Sequence, residues 1–170
     1  MQNNIMSLLL WVDEIAIVSF GFIGGVYFAF SFFVMQSLNN TSSSVAIRTM
    51  NAINLVILKS PFMFLFIFSS LIAFILFLEN LILQTIISNE GFASLIFIVG
   101  MFLCAAMKNV LLNNKLADYD FNDSTRNPTL EWNEYYKHWI KWNHLRTASC
   151  FLSVVLLPLS YFLCYLLNLA

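Results

Sequence analysis

The length of the apolar runs limits this chain more than any other feature. A helix needs about 20 mostly apolar residues to cross a bilayer. Four segments reach that length: about Ile15 to Leu38, Pro61 to Leu83, Gly91 to Leu112 and Leu145 to Leu167. In the second, Phe62, Phe64, Phe66 and Phe68 recur at every second residue, a strand-like rhythm. The run around them is too long and too uniformly apolar for a strand, and backbone groups in lipid must be satisfied internally, so all four read as helices. Composition agrees. Hydrophobic residues make up 60% and charged residues 10% of the chain, where an average soluble domain is about 25% charged. That excludes a water-soluble globule and a disordered tail. A net charge of −1 leaves no basic field for nucleic acid. The expectation is one integral membrane domain over residues 1–170, an all-α, transmembrane four-helix bundle running up-down-up-down.

The basic residues set an orientation. Arg48 and Lys59 lie between the first two spans, and Lys108, Lys115, Arg126, Lys137, Lys141 and Arg146 lie in or beside the connection between the last two. The positive-inside rule places both connections in the cytoplasm and both termini outside. The wealth of Ile, Phe, Leu, Asn and Lys, with little Ala or Gly, reads as an AT-rich genome and a bacterial inner membrane. The first segment lacks the basic start of a cleaved signal peptide and carries Asp13 and Glu14, so it is expected to be retained.

Both basic connections carry helical patterns. Ser42-Ser43-Ser44 offers capping hydroxyls. Val45, Met50, Ile53 and Ile57 then fall near helical spacing, which predicts a short interfacial helix. Pro61 suits the first turn of the second span. Asn127-Pro128 marks a turn. From about Leu130 the pattern runs without a breaker into the last span, predicting one long helix whose residues 130–146 project from the bilayer. Cys104, Cys150 and Cys164 sit in apolar runs and read as small packing residues. Gly21, Gly25 and Ala29 are spaced by four, as are Gly100 and Cys104. Such residues let helices approach closely in lipid, and the first set serves either packing within the chain or a homo-oligomer face.

Chemistry concentrates on the last helix. At roughly 100° per residue, Trp132, Tyr136, Trp139, Asn143, Arg146 and Cys150 point in one direction, whereas Glu134, Lys137 and Lys141 point the opposite way. The first set must face the other helices. Asn109 and Asn113 share a face of the third span, and Asn54 in the interfacial helix reaches the same level. Together these predict a ligand-binding cluster at the cytoplasmic mouth: Asn54, Asn109, Asn113, Asn143 and Arg146, roofed by Trp132 and Trp139. The same residues could serve as an interfacial aromatic belt and as hydrogen-bond glue between helices. An inward Arg146 needs an anion, either Asp118 or Asp120 from the connection or a bound acidic ligand. His138 and His144 are about 120° apart on the helix and cannot chelate one metal from a single face, though either could transfer a proton. No metal, haem, phosphate-loop or nucleotide motif is present.

Several blocks carry a resemblance. They are Gly25-Val26-Tyr27-Phe28-Ala29-Phe30-Ser31, Met50-Asn51-Ala52-Ile53-Asn54 with Pro61 after it, Lys108 to Leu116, and Trp132, Trp139, Asn143 and Arg146 at their spacing. Together they resemble the anthrone oxygenase family of small four-span membrane proteins, most of whose bacterial members have no assigned function. The resemblance implies oxidation of anthrones to anthraquinones by molecular oxygen, without an obvious cofactor. It implies a flat pocket in which Trp132 and Trp139 stack on the substrate, His138 or His144 is the base, and Arg146 holds the enolate. The competing expectation is a non-catalytic module that binds a lipid or small acid or supports a partner membrane protein.

Overall fold

A computed structural model describes residues 2–83 and 88–169, with side chains at 11–83 and 88–159. It is all-α, with five helices. Helix α1 (residues 2–39) starts as Gln2–Ala29, widens to π-type turns over Phe30–Val34 and closes as Met35–Asn39. Helix α2 is Ser43–Ile57 and α3 is Pro61–Ile82, with the proline in its first turn. Helix α4, Asn89–Ala117, is capped by Ser88, whose Oγ accepts from the Gly91 N–H at 3.0 Å. It widens over Phe97–Leu103 and again over Ala105–Asn109. Helix α5 runs from Pro128 to Leu169, continuous from Leu130 into the last span as expected, and it carries Pro158 inside.

Among the described residues three helices are long and apolar enough to cross a membrane: Trp11–Asn39, Pro61–Ile82 and Asn89–Ala117. The fourth expected span lies on α5, where Cys164 and the other side chains beyond residue 159 lie outside the described residues. The Ser42 side chain makes no capping hydrogen bond, so α2 starts on backbone geometry alone. The face α2 buries is Ala46, Ile47 and Met50, and Val45, assigned to the apolar stripe, is exposed.

Two hydrophobic clusters hold the helices together. One gathers Phe20, Ile23, Tyr27, Leu76, Phe97, Met101 and Cys150, with Phe20 and Phe97 stacked at 3.7 Å. The other gathers Met35, Ile47, Met50, Leu116, Tyr119, Trp132, Tyr135 and Trp139. Trp132, Trp139, Asn143, Arg146 and Cys150 are all buried, while Glu134, Lys137 and Lys141 are exposed, as the helical phase requires. The close approaches are made by Gly100, one of the expected small residues, and by Gly24, which lies off the expected stripe of α1. A Cβ on Gly24 would lie 2.9 Å from Cys150 Cβ, and one on Gly100 would lie 2.7 Å from Ser149 Cβ. Gly21 and Gly25 have open space in that direction, so packing within the chain does not account for them. Gly24 sits one residue off that stripe, and repeat spacing alone does not reveal which side of α1 meets α5.

Candidate functional site

Between the two clusters lies a cavity of about 290 Å³. Its walls are mostly apolar, from Val26 and Phe30 of α1, Met50, Ile53 and Ile57 of α2, Phe62, Met63 and Phe66 of α3, and Ala105 of α4. Its polar groups are Tyr27, Asn54, Asn109, Asn113, Trp139 and Arg146. The π-type turns supply part of this lining: Phe30 opens one, and Ala105 and Asn109 bound another. Such turns re-aim side chains relative to an α-helical wheel and often occur where a site is built.

Arg146 is the centre of the polar end. It is 5% exposed, and its guanidinium carbon lies 4.3 Å above the Tyr27 ring and 5.4 Å from the Trp139 ring. Nη2 donates to Asn143 Oδ1 at 2.6 Å. Asn143 is held from behind, its Nδ2 donating to the Tyr27 carbonyl at 2.8 Å and to Ser31 Oγ at 2.7 Å. Ser31 and Thr147 share a hydrogen bond of 3.0 Å across α1 and α5. The donors around Asn109 fix its amide orientation. With its oxygen toward Arg146, it accepts from Nη2 at 3.1 Å and from Trp139 Nε1 at 3.3 Å. Asn113 Oδ1 accepts from Trp139 Nε1 at 3.0 Å and from the Tyr135 hydroxyl at 2.8 Å. Burial holds the Tyr135 phenol well above its usual range, so it remains a donor.

Two groups at this site have no hydrogen-bond partner among the described residues: Arg146 Nε and Asn54 Nδ2. Nor does any described carboxylate pair with Arg146. The expected partners lie elsewhere. The Asp118 carbonyl accepts from Arg126, and Asp120 Oδ1 accepts from the Asn122 N–H. The alternative to a loop carboxylate, an acidic ligand, is the one this geometry leaves open. A buried guanidinium with neutral partners and a spare donor keeps a desolvated, uncompensated charge.

The other expected site residues divide clearly. Asn54, Asn109, Asn113, Trp139 and Arg146 come together around the cavity, and Asn143 stands behind Arg146 as its support. Trp132 is not in the lining, because its Nε1 donates to Asn39 Oδ1 at 3.0 Å at the end of α1. His138 and His144 are exposed on the outer side of α5 and neither lines the cavity, with His144 packed 5.5 Å from the Phe32 ring. Tyr27, Phe30, Phe62 and Phe66 line the site, although the sequence did not assign them to it. The one available signal was Tyr27, a phenol in the middle of an apolar span. No three His, Cys, Asp or Glu gather as a metal would require among the described residues.

The family model for anthrone oxygenase matches residues 55–156. That stretch holds Asn109, Asn113, Trp139, Asn143 and Arg146 and stops short of Asn54 and the α1 wall. No curated protein and no solved structure matches the chain.

Proposed function

Since the chain belongs to the anthrone oxygenase family, we propose that it is a membrane oxygenase that oxidises a phenolic, quinone-like apolar substrate in the cavity beside Arg146. The observation that carries this reading is the buried Arg146 with its unpartnered Nε at the polar end of an apolar hollow. In this reading α5 is the fourth span, both basic connections face the cytoplasm, and the polar end lies near that surface.

The chemistry asks little of the protein. An anthrone that loses a methylene proton becomes an electron-rich enolate. The enolate adds oxygen at that carbon and takes back one proton from water to form a hydroperoxide. Loss of water then leaves the second carbonyl, so anthrone and oxygen give anthraquinone and water. The developing and resting negative charge both lie on the enolate oxygen, and a preorganised guanidinium in a dry site stabilises that charge strongly. Asn109 and Asn143 hold the guanidinium in place before the substrate arrives, so it need not reorganise. Tyr27 and Trp139 face Arg146 with their rings and confine the oxygen to one plane. The described lining holds no histidine or carboxylate, and in this reading the substrate enters as its anion.

The test is oxygen uptake by the protein in phosphatidylcholine vesicles given 1,8-dihydroxyanthrone, corrected for the uncatalysed rate. The wild type should consume oxygen, and Arg146→Ala should lose about 10²–10³-fold. An unchanged rate in Arg146→Ala would remove the anion-stabilising role. Binding of the anthrone without oxygen uptake in the wild type would leave a binding module for small acids instead of an enzyme.

A further inference from the structure

The exposed rim of the cavity is apolar. Of the side chains that line it, three are exposed: Leu58 at 62%, Val110 at 48%, and Ala106. All three are apolar. Ala106 and Val110 lie one turn apart on α4 inside the apolar stretch Asn89–Ala117, and Leu58 stands at the joint between α2 and α3. Every other lining residue is buried or half-buried, the polar ones included. On the opposite side Trp132, Tyr135 and Trp139 pack with Ile47, Leu116 and Tyr119 into one buried cluster. No hydrated passage leads through such a plug without breaking its contacts.

We infer that the cavity takes its ligand sideways from the bilayer, through the gap between Leu58 and the pair Ala106 and Val110. The ligand is then a flat molecule that dissolves in the membrane and carries one phenolic or acidic edge. The height of the gap fits such an amphiphile. Lys59 adjoins Leu58 and Lys108 lies between Ala106 and Val110, and both lysines are exposed. Long cationic side chains at the ends of spans reach for the headgroup layer, which sets the gap at the level where amphiphilic anions collect. The polar edge has Arg146 to meet inside, and the apolar body has the phenylalanines of α1 and α3. An opening rimmed by charge and water would serve a soluble acid; one rimmed by Leu, Ala and Val serves a lipid-dissolved one. This inference rests on the reading of the cavity as a ligand site.

Two measurements on the full chain in phosphatidylcholine vesicles test it. The first is ligand-free. Val110→Cys should react at least about tenfold faster with a maleimide carried on an alkyl chain than with a sulfonated one, because hydrocarbon concentrates the former. Reactions of the unsubstituted chain are subtracted, and Asn122→Cys, exposed in the connection before α5, should show the reverse order. Equal rates, or a preference for the sulfonated reagent at 110, would overturn the lipid opening. The second measures capture of 1,8-dihydroxyanthraquinone from the same vesicles. Val110→Trp and Ala106→Trp should slow capture about tenfold, since narrowing a passage lowers the rate of entry. Met107→Trp, also exposed on α4 but outside the lining, should leave the rate unchanged. Unslowed capture in both rim variants would overturn lateral admission. A wild type that binds no anthraquinone while position 110 still prefers the alkyl reagent would refute the functional reading and leave the opening standing.

Discussion

The two sides of α5 are packed by opposite rules. Toward α1 and α4, glycines bring the helices so close that a single methyl group at Gly24 would press on Cys150 and one at Gly100 on Ser149. Away from those contacts, where α2 and α3 face the same polar stretch, about 290 Å³ stays unfilled. The tight side also carries the ordered polar network, Asn143 to Ser31 and the Tyr27 carbonyl. The loose side is lined with Met, Ile and Phe, side chains that adapt to a guest. One half of the molecule therefore holds a cation in a fixed place, and the other leaves a hollow beside it. At the opposite end a half-buried acid is likewise held by neutral side chains. There Glu90 Oε1 accepts from Asn80 Nδ2 at 3.0 Å, Asn80 Oδ1 accepts from Ser88 at 2.7 Å, and the described lining of the cavity includes none of the three.

The largest effects should come from the tight side. Asn143→Leu removes the acceptor for Arg146 and the donor to Ser31. It should cost the fold about 1–3 kcal/mol, read as a lower melting temperature in detergent, and it should reduce oxygen uptake as well. Uptake at the wild-type rate would break the division between holding and binding. Gly100→Ala should destabilise by about 1–3 kcal/mol through overpacking against Ser149, and Gly24→Ala by a smaller amount. Gly21→Ala and Gly25→Ala should be neutral or stabilising, because a helical glycine replaced in open space recovers backbone entropy. A melting temperature that falls for all four alike would contradict the asymmetry.

On the loose side, Ala105→Phe places a ring in the hollow. It should leave the melting temperature within a few degrees of wild type while weakening anthraquinone binding at least about tenfold. The smallest effects belong to the outer face. His138→Ala and His144→Ala should keep oxygen uptake within about twofold, since neither side chain lines the cavity. The Lys115 ammonium, 2.8 Å away, holds the Glu134 carboxyl below the usual carboxylate range. That pair contributes above the ordinary carboxylate pKa and is lost as the pH falls through the lowered one. Both groups are exposed, so Glu134→Gln should shift the melting temperature by no measurable amount at physiological salt.

The sequence made the α5 side of the site legible because the stretch from Leu130 to Cys150 has no breaker and keeps its helical phase. Trp139, Asn143 and Arg146 could be set on one face by counting, and the four-residue step from Asn109 to Asn113 survived the π-type turn before it. Asn54 was legible as a matter of height along the bundle. Three things were not. The wall from α1 was missed because a uniformly apolar span gives no phase, and the widening at Phe30–Val34 shifts what phase there is. The glycine contact on α1, unlike that at Gly100, was misplaced by one residue because spacing reveals a stripe and not its direction. The Trp132 indole was assigned to the roof although its hydrogen-bond partner, Asn39, lies 93 positions earlier, a pairing that only the fold can bring about.

The most direct test of the account is the affinity of the vesicle-embedded protein for 1,8-dihydroxyanthraquinone, wild type beside Arg146→Gln. Glutamine retains an amide donor for Asn143 and removes only the charge and the spare N–H, so the fold has the best chance of staying comparable. Loss of a buried charge-assisted contact predicts at least a tenfold weaker affinity, of the order of the 1.5–3 kcal/mol that hydrogen bonds to charged groups contribute. Equal affinity in the two proteins, with melting temperatures alike, would contradict the claim that Arg146 is held ready for an anion.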